Sequence, residues 1–345
     1  MKVKYNEIPK LIYKKEYNLG VNILRVFLSF SVIMDHLYNK AKLKKYFYIL
    51  YYHIPTFFLI SFFFTYNTLI SYNITKIKLR FERLIIPYIS WSIIGFILKI
   101  IYYKLNVNKK CSLKEFVQHL ICGHILNVPL WYLVILILTT QLFLIINFIF
   151  KNNSLFIFHT LIIICYILQY SGINYYFITK YLTKHAKLTF GRFIESIPNE
   201  ITGYTFAYLK IIEKLRYFRL KTMFFSFSIL IIITKYNIFD NIKTFKYGGI
   251  RLNIASSCIF ILFSLLPIEK LKNKSILKYI NHITSYTGGV FYMHYLVGTC
   301  FLIRKILKPL NKTILGCMII YLICYLISYF GIKICGKTKL KYMFI

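Results

Sequence analysis

The chain has 345 residues and a mass of 41.3 kDa; 58% of it is hydrophobic, 19% aromatic and only 16% charged, with a mean hydropathy of +0.60. Soluble domains carry about 25% charged residues, so this composition excludes an ordinary water-soluble globular protein and turns much of the surface toward lipid. The net charge of +35 would suggest nucleic acid in a soluble chain; here the basic residues lie in short runs between apolar stretches, a pattern that favours membrane headgroups and no nucleic acid. Lys, Ile, Asn, Tyr and Phe are over-used together, as an AT-rich coding sequence also produces, so part of the charge excess is compositional.

The first 19 residues are polar and basic, with five lysines, and the apolar stretch that follows contains Arg25 and no small-residue cleavage site. No cleaved signal peptide is expected. Crossing about 30 Å of hydrocarbon at about 1.5 Å per residue takes roughly 20 residues. Ten windows qualify: 20–38, 47–71, 84–104, 130–150, 154–170, 193–209, 222–239, 250–268, 284–303 and 314–335. The sixth is the most polar, holding Glu195, Pro198, Asn199 and Glu200; the fifth is short, and Lys151-Asn152-Asn153-Ser154 before it fits a tight hairpin. The expected fold is an all-α integral membrane protein, a bundle of about ten transmembrane helices forming one domain over residues 1–345. An even count puts both termini on one side, and a slight excess of Lys and Arg there makes that side the cytoplasm. Residues 105–129, with Lys114, Glu115 and His119, read as an amphipathic helix on the membrane surface. The eight cysteines show no C-x-x-C spacing and mostly sit in apolar runs. They read as packing residues, with neither a disulfide frame nor a metal site.

An ionisable side chain within a span costs about 2.5–3.5 kcal/mol on insertion scales, so each one is a functional hypothesis. The first span carries Arg25, Asp35 and His36. Arg25 and His36 are eleven residues apart, three turns plus about 20°, so they share a helix face at depths about 16 Å apart. They cannot touch, and they can line one cavity. His36 is the candidate for proton transfer, because imidazole titrates near about 6.5. Asp35 lies about 100° round the helix; it either orients His36 through a neighbour or faces bulk water.

Next comes Lys76-Ile77-Lys78-Leu79-Arg80-Phe81-Glu82-Arg83, read as the loop between spans two and three. Arg80 and Arg83 are i,i+3 at a helix start, so their guanidinium groups can converge on one phosphorylated ligand; an ordinary basic loop against lipid headgroups is the other reading. In the second span, Pro55 frees a backbone carbonyl and can open a polar pocket beside His53, with Ser61 further along. Trp131 opens the fourth span as part of an aromatic belt, which by itself is anchoring. His294 lies inside the ninth span. His159 has no comparable surroundings and reads as packing, while Glu195 and Glu200 are unlikely to face lipid. No phosphate loop, G-x-G-x-x-G, H-E-x-x-H or G-x-S-x-G motif occurs.

In order and spacing these residues resemble the acyltransferase 3 family of integral membrane acyltransferases, which includes bacterial O-antigen and exopolysaccharide O-acetyltransferases. The matching elements are Arg25 and His36 in the first span, His53, Pro55, Phe57, Phe58 and Ser61 in the second, and Arg80, Arg83, Pro87 and Tyr88 at the third. Leu130-Trp131-Tyr132-Leu133 and the late Tyr292 and His294 complete the set. Two departures stand out: Ser61 is followed by Phe62 where the family usually has glycine, and Val26-Phe27-Leu28 replaces the small residue common after the arginine. The resemblance covers essentially the whole chain and implies ten spans in a bacterial cytoplasmic membrane.

It further implies an acyl group, usually acetyl, carried from cytoplasmic acyl-CoA to a hydroxyl of a cell-surface or lipid-linked glycan, with acyl-CoA as donor substrate and no bound cofactor. Arg80 and Arg83 would then bind the CoA phosphates, Arg25 would stabilise donor charge and His36 would act as general base. His53, Ser61, Trp131 and His294 fall to acceptor binding or support. A secondary transporter or flippase for a glycan also needs charges within the membrane, but usually shows two related halves with interrupted helices, which the sequence lacks.

Overall fold

The computed structural model describes residues 10–37, 52–106, 112, 116–117, 120, 130–170, 184–235, 249–266, 274–299 and 313–345. Among these residues the chain is helical throughout and contains no strand. The expected surface helix over 105–129 falls almost wholly outside the described residues.

Helix α1 spans Lys10–Leu37, with its apolar portion from Leu19 to His36. Helix α2 spans His53–Ser71. Pro55 therefore sits in its first turn, where the amide it lacks has no intrahelical acceptor, so it begins the helix instead of opening a pocket within it. Tyr72 closes α2 in the left-handed region, with φ 47°, and the Asn73 side chain accepts from the Lys76 amide at 3.0 Å to cap the next helix.

That helix, α3, runs Ile74–Asn106 and corrects the expected loop: Arg80 and Arg83 lie in its second and third turns. Its 33 residues rise about 50 Å, more than the hydrocarbon needs, so the basic first turns reach headgroup depth while remaining helical. Helix α4 (Trp131–Phe150), a 3-10 turn at Lys151–Asn153 and α5 (Ser154–Tyr170) form the expected hairpin.

Helix α6 spans Lys184–Tyr208 and packs most extensively against α2. Gly203 permits this, because a Cβ there would overlap the carbonyl of Leu59. The polar character of α6 has the same origin. Glu195, Ser196, Asn199 and Glu200 are all buried inside the bundle, away from lipid. A short helix α7 (Ile211–Leu215) and a 3-10 turn lead into α8 (Arg219–Lys235). Helices α9 (Ile250–Ser264), α10 (Lys274–Thr284), α11 (Thr287–Thr299) and α12 (Ile314–Cys335) follow, then a 3-10 segment at Lys339–Met343.

Among the described residues six stretches are long and apolar enough to cross a membrane: Leu19–His36, His53–Ser71, Ile74–Leu98, Trp131–Phe150, Ile211–Thr234 and Ile314–Cys335. Ser154–Tyr170 and Ile250–Ser264 are apolar but shorter. Phe148, Phe156, Leu220, Phe224 and Ile334 point outward, an apolar exterior that water would not tolerate and hydrocarbon does. His159 is exposed on α5 with its Nδ1 2.7 Å from the Leu155 carbonyl, so it is not a core packing residue. Cys165, Cys258, Cys317 and Cys324 are free and buried, as packing residues are.

Candidate active site

Faces of five helices build a cavity of about 630 Å³. From α2 come Phe57, Ile60, Ser61, Phe64, Thr65 and Thr68, a continuous i, i+3, i+4, i+7 stripe. The same spacing on α3 supplies Lys76, Leu79, Arg80, Arg83 and Leu84. Asn22 and Arg25 enter from α1, and Thr287, Gly288, Phe291 and Tyr292 from α11; Tyr132, Leu136 and Ile345 complete the wall. Four lining residues are cationic, Arg25, Lys76, Arg80 and Arg83, and none is Asp or Glu. Positive charge gathered over a concave surface attracts anions.

The two arginines of the α3 pair are held differently. Arg80 donates through Nε to Thr140 Oγ1 at 3.0 Å, through Nη1 to Thr65 Oγ1 at 2.5 Å and through Nη2 to Ser61 Oγ at 3.3 Å. Thr65 and Thr140 each give their own proton to a backbone carbonyl four residues back, which leaves their oxygens free to accept. The Phe62 ring lies 5.4 Å from the guanidinium. Beyond Thr140, the neighbouring Thr139 hydroxyl is hydrogen-bonded to buried Glu200 at 3.2 Å, and the charges of Glu200 and Arg80 act on each other. Arg80 is thus a fixed charge with its fork occupied. Arg83 is exposed, with its guanidinium 5.7 Å from the centre of the Tyr342 ring.

A second cluster forms where α1 ends, α2 begins and α11 passes. The His36 ring, half-buried, lies 5.2 Å from the His294 ring and meets Tyr295 edge-on at 5.7 Å. His53 is fully buried and Asp35 is 3% exposed; the charges of both act on His294. Burial removes the reading in which Asp35 faces bulk water. His294 Nδ1 is 2.7 Å from the Phe291 carbonyl, which makes Nδ1 the donor, and its buried Nε2 has no hydrogen-bond partner among the described residues. Among the described residues no three His, Cys, Asp or Glu side chains converge to hold a metal.

Arg25 and His36 therefore share a helix face without sharing a cavity. Ser29 and Val32, which lie on that face between them, are fully buried, and Ser29 hydrogen-bonds Tyr321 at 3.4 Å. Across the bundle the gap is filled by three rings, one each from α2, α4 and α11. Phe57, Tyr132 and Phe291 stand with centroids 6.3 Å (Phe57 to Tyr132), 5.5 Å (Phe57 to Phe291) and 5.1 Å (Tyr132 to Phe291) apart. All three line the basic cavity, and Phe291 lies 6.1 Å from His294 on the other side.

The sequence-derived residues thus fall into three places. Arg25, Ser61, Arg80 and Arg83 meet in the cavity, and Asp35, His36, His53 and His294 meet in the cluster. Trp131 stands apart, 4% exposed, with the Arg192 guanidinium 4.1 Å from its ring centre and Phe58 beside it at 6.4 Å. It packs inside the protein and is not an interfacial anchor. Lys76 and Glu200 gained no site role from sequence, though the spacing of Lys76, Arg80 and Arg83 at i, i+4 and i+7 already places all three on one face.

A basic cavity and a histidine cluster stand back to back within the apolar helical bundle of a multi-pass membrane protein. Residues 18–332 match the Acyl_transf_3 family, described as an acyltransferase domain, and the chain belongs to that family of membrane acyltransferases. Neither a curated protein nor a solved structure matches the chain.

Proposed function

We propose that the protein carries an acyl group, with acetyl the first choice, from acyl-CoA bound in the basic cavity to a hydroxyl of a cell-surface or lipid-linked glycan presented at the histidine cluster. The observation that carries this reading is the cavity lining of four cationic side chains with no Asp or Glu among them, which suits the phosphates of CoA. Lys76 and Arg83 would take the phosphates from the outer turns of α3, and Arg80, fixed by its three hydroxyl partners, would supply standing charge deeper in. Arg25 lies where a thioester carbonyl could reach it, and would stabilise the oxyanion formed on attack.

His36 would take the proton of the accepting hydroxyl as its oxygen bonds to the acyl carbon. Expulsion of the CoA thiolate breaks the carbon–sulfur bond, and that proton is then available to the thiolate. Asp35 and His294 border His36 and would fix its ring; His53, Ser61 and Trp131 support the walls. Donor and acceptor can meet only if Phe57, Tyr132 and Phe291 part, so motion of these rings gates the transfer. Ten spans, both termini in the cytoplasm and a bacterial cytoplasmic membrane complete the proposal, with the α3 basic turns on the cytoplasmic side where acyl-CoA is available.

The test is to compare cell-surface glycans by mass with the intact gene and with His36→Ala. An acetyl-sized increment present only with the intact gene, at equal membrane expression, supports the proposal. Identical glycans from both cultures would count against it.

A further inference from the structure

The segment Lys339–Ile345 lies beyond residue 332, where the family match ends, yet it forms part of the cavity. Trp91 Nε1–H donates to the Met343 carbonyl at 3.0 Å, and Lys339 Nζ pairs with Glu82 at 2.5 Å, so α3 holds the segment at two points. Three glycines admit it. A Cβ at Gly331 would meet the Phe344 ring at 2.6 Å, one at Gly289 would meet Phe344 Cα at 2.9 Å, and one at Gly288 would overlap the Ile345 carbonyl. The Phe344 ring also stands edge-on to Trp91 at 6.1 Å. Ile345 thus rests against α11 and lines the cavity with Tyr292 and Arg25, while Tyr342 lies under Arg83.

We propose that this strap is the specificity wall of the donor site: Ile345 limits the length of the acyl chain that the cavity admits. The inference rests on the acyl-CoA reading above. The strap is seated by its backbone and by the Phe344 ring, contacts that do not use the Ile345 side chain. The Ile345 side chain holds four carbons, the same number by which hexanoyl exceeds acetyl, so its removal frees space of the matching size.

The experiment is equilibrium binding of CoA, acetyl-CoA and hexanoyl-CoA to the purified full chain in detergent, comparing wild type with Ile345→Gly. Each methylene newly buried is worth about a fourfold gain in affinity. Hexanoyl-CoA should therefore tighten at least about tenfold relative to acetyl-CoA in the variant, if two or more methylenes fit. Gly288→Ala, which displaces the strap at its backbone, should shift the preference in the same direction. An unchanged hexanoyl-to-acetyl ratio in Ile345→Gly, with CoA still bound, overturns the role of the strap and leaves the donor reading standing. A wild-type protein that binds none of the three ligands overturns the donor reading itself and the strap's role with it.

Discussion

Replacing Arg80 and Arg83 singly with lysine keeps the charge of the cavity and separates geometry from electrostatics. Arg80 uses Nε, Nη1 and Nη2 on three hydroxyls from two helices, at 3.0, 2.5 and 3.3 Å. A lysine ammonium at the end of a flexible stem can reach one or two of them. With charge-assisted bonds worth about 1.5–3 kcal/mol each, losing one or two costs about 1.5–6 kcal/mol. The cost falls on folding and on the position of the remaining charge, since Glu200 then faces a displaced cation. Arg83 is exposed and its described contact is the Tyr342 ring, so lysine there should cost under about 1 kcal/mol. Thermal unfolding in detergent should show a lowered midpoint for Arg80→Lys and little change for Arg83→Lys. CoA binding should weaken at least about tenfold in the first and about threefold or less in the second. Equal losses in the two variants would refute the division between a fixed inner charge and an outer adaptable one.

Phe291→Ala removes one of the three rings between the cavity and the histidine cluster; donor hydrolysis without acceptor should rise several-fold over wild type, read as free thiol released from acetyl-CoA. No rise, with donor binding intact, would show that the rings are not the barrier. Gly203→Val puts a branched side chain where a Cβ already overlaps the Leu59 carbonyl; separation of α2 from α6 should cost about 3 kcal/mol or more, measured as loss of folded protein by size-exclusion profile. Because His36 is not on the cavity wall, His36→Ala should leave CoA affinity within about twofold while abolishing transfer, and a large loss of affinity would mean that the two compartments are one.

The helices were legible where hydropathy and period agree. The hairpin of α4 and α5 lies where its apolar windows and the Lys151–Ser154 break put it. The start of α3 was not, because its first ten residues include Lys76, Lys78, Arg80, Glu82 and Arg83 and a hydropathy window begins only where the charge thins; the signal was Asn73, a helix cap. The weak sixth window reflects α6 turning Glu195, Asn199 and Glu200 inward, which hydropathy alone counts against a helix in the membrane. Within the site, the common face of Arg25 and His36 follows from eleven residues of helix. What separates them, the packing of Ser29 and Val32 and three rings from three other helices, is tertiary and has no sequence spacing to reveal it. The strap was silent for the same reason: Lys339–Ile345 has no period, and its seats are Gly288, Gly289 and Gly331, distant in sequence.

The central claim is that the four cations lining the cavity recognise the phosphates of a thioester donor. It is tested most directly by the affinity of the purified protein for CoA, dephospho-CoA and pantetheine at fixed ionic strength. The account predicts binding that weakens stepwise as phosphates are removed, and that weakens further for CoA as salt is raised. Pantetheine binding as tightly as CoA, or CoA affinity indifferent to salt, would contradict it.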